Sequence, residues 1–409
     1  MGKVILKYPS LRFKEFSDEW RVVKIEKICE AIIDCVNKTA TVVDYETPYK
    51  MIRTSNVRKG KVDLTSVRYA TKDIYEKWTR RGAPKPGDLI FTREAPVGEI
   101  GILTDNKGIF LGQRTIMYRI NSFFSNNAFV LYSFQTHFCK KQIEDFSNGG
   151  TVAHMRVPDC GKIKISNPTL PEQKKIASFL SAVDKKIEQL TRKKQLLEQY
   201  KKGVMQKLFS QEIRFKDENG NDYPDWFKVS FLSLGEIIGG GTPDSTVKKF
   251  WNGNINWFTP TEIKSKHAIS SKRKISKLGL QNSSATLLPS GTILFTSRAT
   301  IADISFATQE CTTNQGFQSL IVNNKNDSHF IYHMILFNKK EFLRKSQGST
   351  FLEISKTEIK KIKLFIPSKL EQEKIGIFLD HIDDKIESVR NQKQQTQSFK
   401  KGLLQQMFV

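Results

Sequence analysis

The sequence predicts an α+β protein in which two pseudo-repeated, mainly β domains are separated by two long antiparallel helices that form an intramolecular coiled coil. Three observations predict this fold: a gapless internal repeat, a heptad pattern in the repeated segments, and short apolar runs with many turn residues elsewhere. The predicted boundaries are a first β domain at 1–167, a central helix at 168–210, a second β domain at 211–366 and a distal helix at 367–409.

The repeat is clearest in the two helical segments. Residues 168–209 align with 367–408 without a gap, and apolar residues recur in both at alternating steps of four and three. This spacing is typical of a coiled-coil seam, and polar residues within a seam restrict the choice of partner, so we expect the two copies to pair with each other. Two unrelated surface helices are the alternative. The predicted seam residues are Ile176, Leu180, Val183, Ile187, Leu190, Ile375, Leu379, Ile382, Ile386 and Val389.

The remaining regions have the pattern of β-structure. Short apolar runs alternate there with Gly, Pro and Asn. We expect strands at 89–91 and 98–103, joined as a hairpin, and a strand at 292–295. A short helix is expected later in each region, near 128–144 and 328–344.

Composition indicates a polyanionic partner. The chain has 409 residues with 66 Lys and Arg against 42 Asp and Glu, a formal net charge of +24. Release of counterions makes such an excess favour nucleic acid first and an anionic membrane second. No apolar run approaches the roughly 18 residues of a spanning helix, and the first residues do not form a signal peptide. We therefore expect a cytoplasmic protein without a membrane partner, and its five scattered cysteines as free thiols.

The sequence carries little sign of catalytic chemistry. The chain lacks a phosphate-binding G-x-x-x-x-G-K-[ST] loop and the Asn-Pro-Pro-aromatic segment of amino-methylating DNA enzymes. Asp159, Glu172 and Lys174 have the residue types of a nuclease, but the pattern is common and Glu172 is better explained by a helix start. His329 and His333 have zinc-ligand spacing without a third ligand, which favours a packed or exposed pair. We therefore predict no catalytic and no metal-binding residue.

Basic and amide side chains near the predicted strands suit DNA. Arg matches guanine and Asn or Gln matches adenine, while Lys and Arg also neutralise phosphates. Any single one can equally be a solvated charge. The predicted DNA-binding residues are Arg53, Asn56, Arg58, Lys59, Arg80, Arg81, Thr92, Arg93, Gln113 and Arg114 in the first region, and Thr242, Lys248, Lys249, Asn252, Thr259, Arg273, Arg298, Asn314 and Gln315 in the second.

These residues resemble a known family, the DNA specificity subunits of Type I restriction-modification systems. The most specific marks are the paired P-E-Q-K-K-I-A-S-F-L-S-A-V-D-K-K-I and L-E-Q-E-K-I-G-I-F-L-D-H-I-D-D-K-I helices. Trp78-Thr79-Arg80-Arg81 with residues 87–98, and residues 240–243 with Asn314-Gln315-Gly316, add to them. The resemblance covers essentially the whole chain.

The resemblance implies two target recognition domains, each reading one half of an asymmetric bipartite sequence of double-stranded DNA. The helices would set the spacer; at 1.5 Å per residue they span roughly 57 Å, which bounds it at about 17 base pairs. Two methyltransferase subunits would bring S-adenosylmethionine, and two restriction subunits would use ATP and Mg²⁺, so this chain itself would hold no cofactor. A stand-alone DNA enzyme and a coiled-coil scaffold without sequence preference are the rival hypotheses.

Overall fold

The computed structural model describes residues 8–105, 107–148, 153–348 and 352–409. The chain divides into two compact units. Unit 1 runs through Thr191 and also contains Asn391–Val409, and unit 2 is Arg192–Arg390. Each unit therefore holds one β region and a part of each long helix.

In the described part of the first repeat, the helices are α1 (Lys72–Thr79), α2 (Asn127–Gln135), α3 (His137–Phe146), α4 (Val157–Cys160) and α5 (Leu170–Phe209). The strands are β1 (Arg21–Lys24), β2 (Cys29–Asp34), β3 (Tyr49–Ile52), β4 (Val57–Arg58), β5 (Gly60–Val62), β6 (Arg68–Ala70), β7 (Leu89–Arg93), β8 (Val97–Ile102), β9 (Ile109–Leu111), β10 (Thr115–Ile120), β11 (Ser147–Asn148), β12 (His154–Met155) and β13 (Lys164–Asn167).

In the described part of the second repeat, the helices are α6 (Lys277–Gln281), α7 (Ser328–Phe337), α8 (Lys339–Arg344), α9 (Lys356–Lys361) and α10 (Lys369–Gln406). The strands are β14 (Phe227–Ser230), β15 (Gly235–Gly239), β16 (Trp251–Phe258), β17 (His267–Ala268), β18 (Arg273–Ile275), β19 (Ile293–Phe295), β20 (Ile304–Ala307), β21 (Cys311–Thr313), β22 (Gln318–Val322) and β23 (Lys363–Ile366).

The two repeats share one sheet topology. The order β2-β10-β7-β8-β5 in unit 1 matches β15-β22-β19-β20-β17 in unit 2, and β6-β3-β9 matches β18-β16-β21. The strand directions agree as well, because β5 runs parallel to β8 as β17 does to β20. The expected hairpin is formed by β7 and β8, and the expected strand at 292–295 is β19. Both predictions are confirmed.

The apolar runs that mark the strands form the cores. Leu89, Ile90 and Phe91 of β7 are 0% exposed, as are Ile293 and Phe295 of β19. Side chains of a strand alternate between its two faces, so a strand with no exposed position is covered on both. Helices α2 and α7 contribute to the covering layer, since their apolar residues belong to the same buried clusters.

Each helix expected within a β region is broken into two. Thr136 interrupts the first, where its hydroxyl accepts a hydrogen bond from the Cys139 amide at 3.3 Å and donates one to the Ser133 carbonyl at 2.7 Å. This side chain therefore caps α3. Asn338 occupies the equivalent position between α7 and α8. The sequence pattern located the helical stretch and missed the local break.

The long helices pair antiparallel within each unit. In unit 1 the Lys400 ammonium lies 2.7 Å from Asp184, and in unit 2 the Lys201 ammonium lies 2.5 Å from Asp383. These are the same pair, because residues 184 and 201 correspond to 383 and 400 in the repeat. Eight of the predicted seam residues are buried, and Ile187 and Ile386 pack partly buried against the cores.

A buried carboxylate fixes the start of each long helix. Glu172 is 0% exposed and both of its oxygens accept from the Arg12 guanidinium, at 2.7 and 2.8 Å. Glu371 is also 0% exposed and accepts from Arg214 at 3.2 and 2.8 Å. The helix-start interpretation of Glu172 was therefore incomplete, since its main partner is an arginine from the segment before β1. Asp159, weighed together with Glu172 as a nuclease residue, instead forms ion pairs with Arg156 and Lys162.

The segment before β1 also contacts the end of α10 in unit 1. The Leu11 amide donates to the Gln406 carbonyl at 2.9 Å. The Ser166 hydroxyl of β13 also reaches this end of the chain and donates to the Val409 carbonyl at 2.7 Å.

The five cysteines are unpaired, as expected. Among the described residues, no helix is both long enough and apolar enough to cross a membrane.

Candidate nucleic-acid interface

Loops from different strands meet at one end of the β-structure in unit 1. Two hydrogen bonds hold the loop between β9 and β10 at this end. The Thr39 hydroxyl donates to Oε1 of Gln113 at 3.2 Å, and the carbonyl of Arg114 accepts from the Arg93 amide at 2.8 Å. Two predicted DNA-binding residues, Gln113 and Arg114, are thus brought beside the β7–β8 turn.

The β7–β8 turn is organised by a buried threonine. The Thr92 hydroxyl donates to the Pro96 carbonyl at 2.6 Å and accepts from the Glu99 amide at 3.0 Å. Ala95 has φ 50° and Gly98 has φ 92°, so the chain passes twice through the left-handed region. The hydrogen bonds to Thr92 hold the backbone of the turn in this shape.

Unit 2 builds the same turn from a different sequence. The Thr296 hydroxyl donates to the Thr300 carbonyl at 2.5 Å and accepts from the Asp303 amide at 3.1 Å. Ala299 and Ala302 have φ 61° and 58°. Positive φ recurs at the same two places although one glycine has become alanine, so the backbone shape is kept while the side chains change.

The loop beside this second turn is also equivalent. The Thr242 hydroxyl donates to Oε1 of Gln315 at 2.7 Å, which corresponds to the Thr39–Gln113 bond of unit 1. The Ser297 amide donates to the Gly316 carbonyl at 2.7 Å, as Arg93 does to Arg114. In each unit, the turn and its neighbouring loop thus form one end of the β-structure, here called the loop end. The same framework of hydrogen bonds holds the loop ends of both units.

Three predicted DNA-binding side chains are not free at the surface. Thr92 is 0% exposed, and Asn56 is 1% exposed with its amide bonded to Asp63 and Ser66. Arg93 is 15% exposed and its guanidinium lies 3.2 Å from Asp34. The prediction that these three side chains contact DNA is therefore wrong. They are bonded within the protein and support the loops instead of facing bases.

The other predicted residues remain accessible to different degrees. Arg273 is exposed and stacks over the ring of buried Trp251, with its guanidinium carbon 3.4 Å from the ring centroid. The partly exposed members are Arg53, Gln113, Thr242, Thr259 and Asn314. The exposed members are Arg58, Lys59, Arg80, Arg81, Arg114, Lys248, Lys249, Asn252, Arg273, Arg298 and Gln315.

An ion pair lies on each of the two turns. In unit 1, Nε of Arg114 lies 3.1 Å from Oε2 of Glu94. In unit 2, Nε of Arg298 lies 2.8 Å from Oε1 of Glu353. Both arginines are among the predicted DNA-binding residues and neither glutamate is, because that prediction named only basic, amide and hydroxyl side chains.

The two histidines weighed as zinc ligands lie where α7 meets α10 in unit 2. Nε2 of His333, which is 0% exposed, lies 2.7 Å from Asp380, and Nδ1 of His329 contacts the other oxygen of the same carboxylate. Burial would raise the pKa of Asp380, but hydrogen bonds from His329, His333 and Lys266 outweigh it and hold that pKa well below its ordinary range. The hydrogen bond to Asp380 raises the pKa of His329, whereas burial lowers the pKa of His333.

Lysines already serve as the cations of this cluster. His333, Asp380 and Asp383 lie close enough together to hold a metal ion. However, the Lys266 ammonium lies 2.5 Å from Asp380 and the Lys201 ammonium lies 2.5 Å from Asp383. The sequence predicted no third ligand beside the histidines, whereas the fold supplies two carboxylates from α10 that are already paired with lysines. The geometry therefore favours a packed histidine within an ion-pair network.

A pH-dependent stability difference is expected from His329. Its folded pKa is raised above the ordinary 6.5, so its pairing with Asp380 stabilises the protein fully below pH 6.5 and is lost as the pH rises through the folded pKa. In His329→Asn, which keeps a donor without a titrating ring, the free energy of unfolding should fall more at pH 6 than at pH 8.5. Urea unfolding at both pH values measures this, and an equal loss at both would contradict it.

Comparison with known families identifies the repeated unit. A family model described as the Type I restriction modification DNA specificity domain matches residues 17–199 and again 223–397. The chain belongs to this specificity family. The two matches fall on the two repeats, so each repeat is one specificity domain.

Several specificity subunits resemble this chain. It is 25% identical over 407 residues to the putative MjaX specificity subunit of Methanocaldococcus jannaschii, covering 95% of this chain and 93% of that one. It is 34% identical over 209 residues to the MjaIX specificity subunit of the same organism, covering 49% and 48%. The chain thus spans about half the length of that relative. The EcoR124I/EcoR124II specificity subunit of Escherichia coli is 28% identical over 194 residues, covering 44% and 48%.

Solved structures show the same fold. The specificity subunit from M. genitalium matches with a TM-score of 0.63 at 16% identity, over 98% of this chain and 99% of that one. A chain from a study of complex assembly and conformational transition in a type I restriction-modification system matches with a TM-score of 0.57 at 18% identity, over 94% and 95%. The α+β architecture with two long helices is therefore that of specificity subunits.

Proposed function

We propose that each unit reads one half of a split, asymmetric sequence in double-stranded DNA. The observation that carries this proposal is the pair of equivalent loop ends, which share a backbone framework and differ in side chains. Phosphate and backbone contacts position a protein on DNA, whereas side chains at base edges select the sequence. Two equal frameworks with unequal side chains thus suit two half-sites that are bound alike and differ in sequence.

The net charge supports DNA as the ligand. An excess of +24 favours association with a phosphate backbone, and both units carry exposed cations. These include Arg58 and Arg114 in unit 1 and Arg273 and Arg298 in unit 2. We retain the exposed and partly exposed predicted residues as candidate contacts.

The long helices would set the distance between the half-sites. They contain 40 and 38 residues, and 38 residues at a rise of about 1.5 Å span roughly 57 Å. That length bounds the spacer at about 17 base pairs. The spacer itself would be shorter, because each recognition domain covers several base pairs.

Catalysis is assigned to partner subunits in this proposal. Two methyltransferase subunits carrying S-adenosylmethionine would dock on the two similar repeats, and two restriction subunits would add ATP- and Mg²⁺-dependent translocation and cleavage. The internal repeat supports two equal docking surfaces, because a pseudo-symmetric protein can bind two identical partners alike. The complex would act on DNA in the cytoplasm.

Selection from random DNA tests the proposal. The chain is co-purified with its methyltransferase subunits, and bound duplexes from a randomised library are sequenced after several rounds. We expect one split motif with a fixed spacer, whose duplex competes far better than random DNA. A scaffold without sequence preference predicts equal competition. Methyl transfer by the purified chain without partners would instead support the stand-alone enzyme.

A further inference from the structure

The two equivalent turns carry opposite charges at one position. Counted from the buried threonine that organises each turn, the residue two places further on is Glu94 in unit 1 and Arg298 in unit 2. The backbone is held alike at both, since Glu94 forms a β-bridge with His154 and Arg298 forms one with Glu353. His154 and Glu353 are themselves equivalent in the repeat. The side-chain charge at this position is therefore opposite in the two repeats, while the backbone around it is held in the same way.

Each of these charges is paired with a neighbour and still accessible. The side chains of Glu94 and Arg114 are 26% and 51% exposed, and those of Arg298 and Glu353 are 51% and 44% exposed. Exposed ion pairs contribute little to stability. The turns are held by hydrogen bonds to their buried threonines, so the ion pairs are free to serve another role.

The paired atoms leave a recognition edge on each side chain. Arg298 meets Glu353 through Nε, and its two terminal nitrogens form the edge that binds guanine O6 and N7. Glu94 meets Arg114 through Oε2, and its Oε1 can accept a hydrogen bond from a base. A carboxylate only accepts, so it selects the exocyclic amines of cytosine or adenine, whereas a guanidinium only donates.

We infer that Glu94 and Arg298 are specificity-determining residues at one equivalent position, Glu94 selecting a base with an exocyclic amine in one half-site and Arg298 selecting a guanine in the other. The inference rests on the proposed function. It adds one contact in each domain and says whether the side chain accepts or donates the hydrogen bond there. Arg114 and Glu353 act as positioning residues that aim these side chains before DNA binds. The inverted charge gives a physical reason for the two half-sites to differ.

Single substitutions in the complex with methyltransferase subunits test the inference. A randomised duplex library is methylated by the wild-type complex and by Glu94→Ala and Arg298→Ala, and the methylated motifs are sequenced. We expect each variant to lose its base preference at one position of one half-site, by between about fivefold and about a hundredfold. The two variants should affect opposite halves. Controls are Glu188→Ala, paired with Lys61, and Arg344→Ala, paired with Glu341, which remove exposed ion pairs elsewhere.

The outcomes separate this inference from the function on which it rests. The unaffected half-site reports that each variant is folded. Unchanged preferences, a uniform loss of methylation over all sequences, or an effect of both variants on the same half would overturn the inference and leave the proposed function intact. If the wild-type complex selects no split motif, the proposed function fails and the inference fails with it.

Discussion

Replacing Glu172 with alanine is expected to destabilise unit 1 by about 3 kcal/mol, because it leaves the Arg12 guanidinium without its counter-ion. Arg12 is only 13% exposed and donates to both oxygens of this carboxylate. The indole of Trp20 also donates to it at 3.3 Å. Urea denaturation followed by tryptophan fluorescence measures the loss.

The second repeat provides a matched comparison. Glu371→Ala should cost less than Glu172→Ala, because Nε1 of Trp226 is buried without a hydrogen-bond partner and does not use Glu371. The control is Glu198→Ala, which removes an exposed i,i+4 pair with Lys194 and should cost less than about 1 kcal/mol. A Glu172→Ala loss as small as that of this control would contradict a stabilising role for the buried pair.

Removing one heptad from both long helices is expected to shorten the DNA spacer by about three base pairs. Deleting residues 192–198 and 391–397 removes about 10.5 Å from each helix at 1.5 Å per residue. Equal deletions keep the seam in register and preserve the Asp184–Lys400 and Lys201–Asp383 pairs. The methylated motif of the altered complex gives the new spacer, and both half-sites should be unchanged.

Deletion of residues 192–198 alone is the control for this experiment. Only one helix is shortened, so the two ion pairs cannot form together in the original register. We expect this variant to lose sequence-specific methylation. An unchanged spacer after the paired deletion, or new bases within the half-sites, would contradict the role of the helices as the spacer.

The helices and strands were predictable because their patterns are local. Apolar residues from Ile176 to Leu190 recur at heptad spacing, which predicts the long helix, and the run Leu89 to Phe91 is wholly apolar, which predicts a buried strand. Neither prediction needs any other part of the chain. The Arg12–Glu172 pair could not be found in this way. Its residues are 160 positions apart and only the folded chain brings them together.

The loop ends were predictable in place and less so in detail. Glycines, prolines and basic residues marked where loops lie. The left-handed backbone at Ala95 and Ala299 has no sequence signature, because alanine rarely adopts positive φ. Thr92 was assigned to DNA for its polarity, whereas its hydroxyl is buried and fastens the turn. Whether a polar side chain supports a loop or faces a ligand depends on burial, which the sequence does not show.

The methylation pattern of the source genome, determined by single-molecule sequencing with and without this gene, tests the central claim most directly. If each repeat reads one half of a target, a split and asymmetric methylation motif with a fixed spacer should be present with the gene and disappear upon its deletion. Restoring the gene should restore the motif. With the methyltransferase genes expressed in both strains, an unchanged methylation pattern after deletion would contradict the claim.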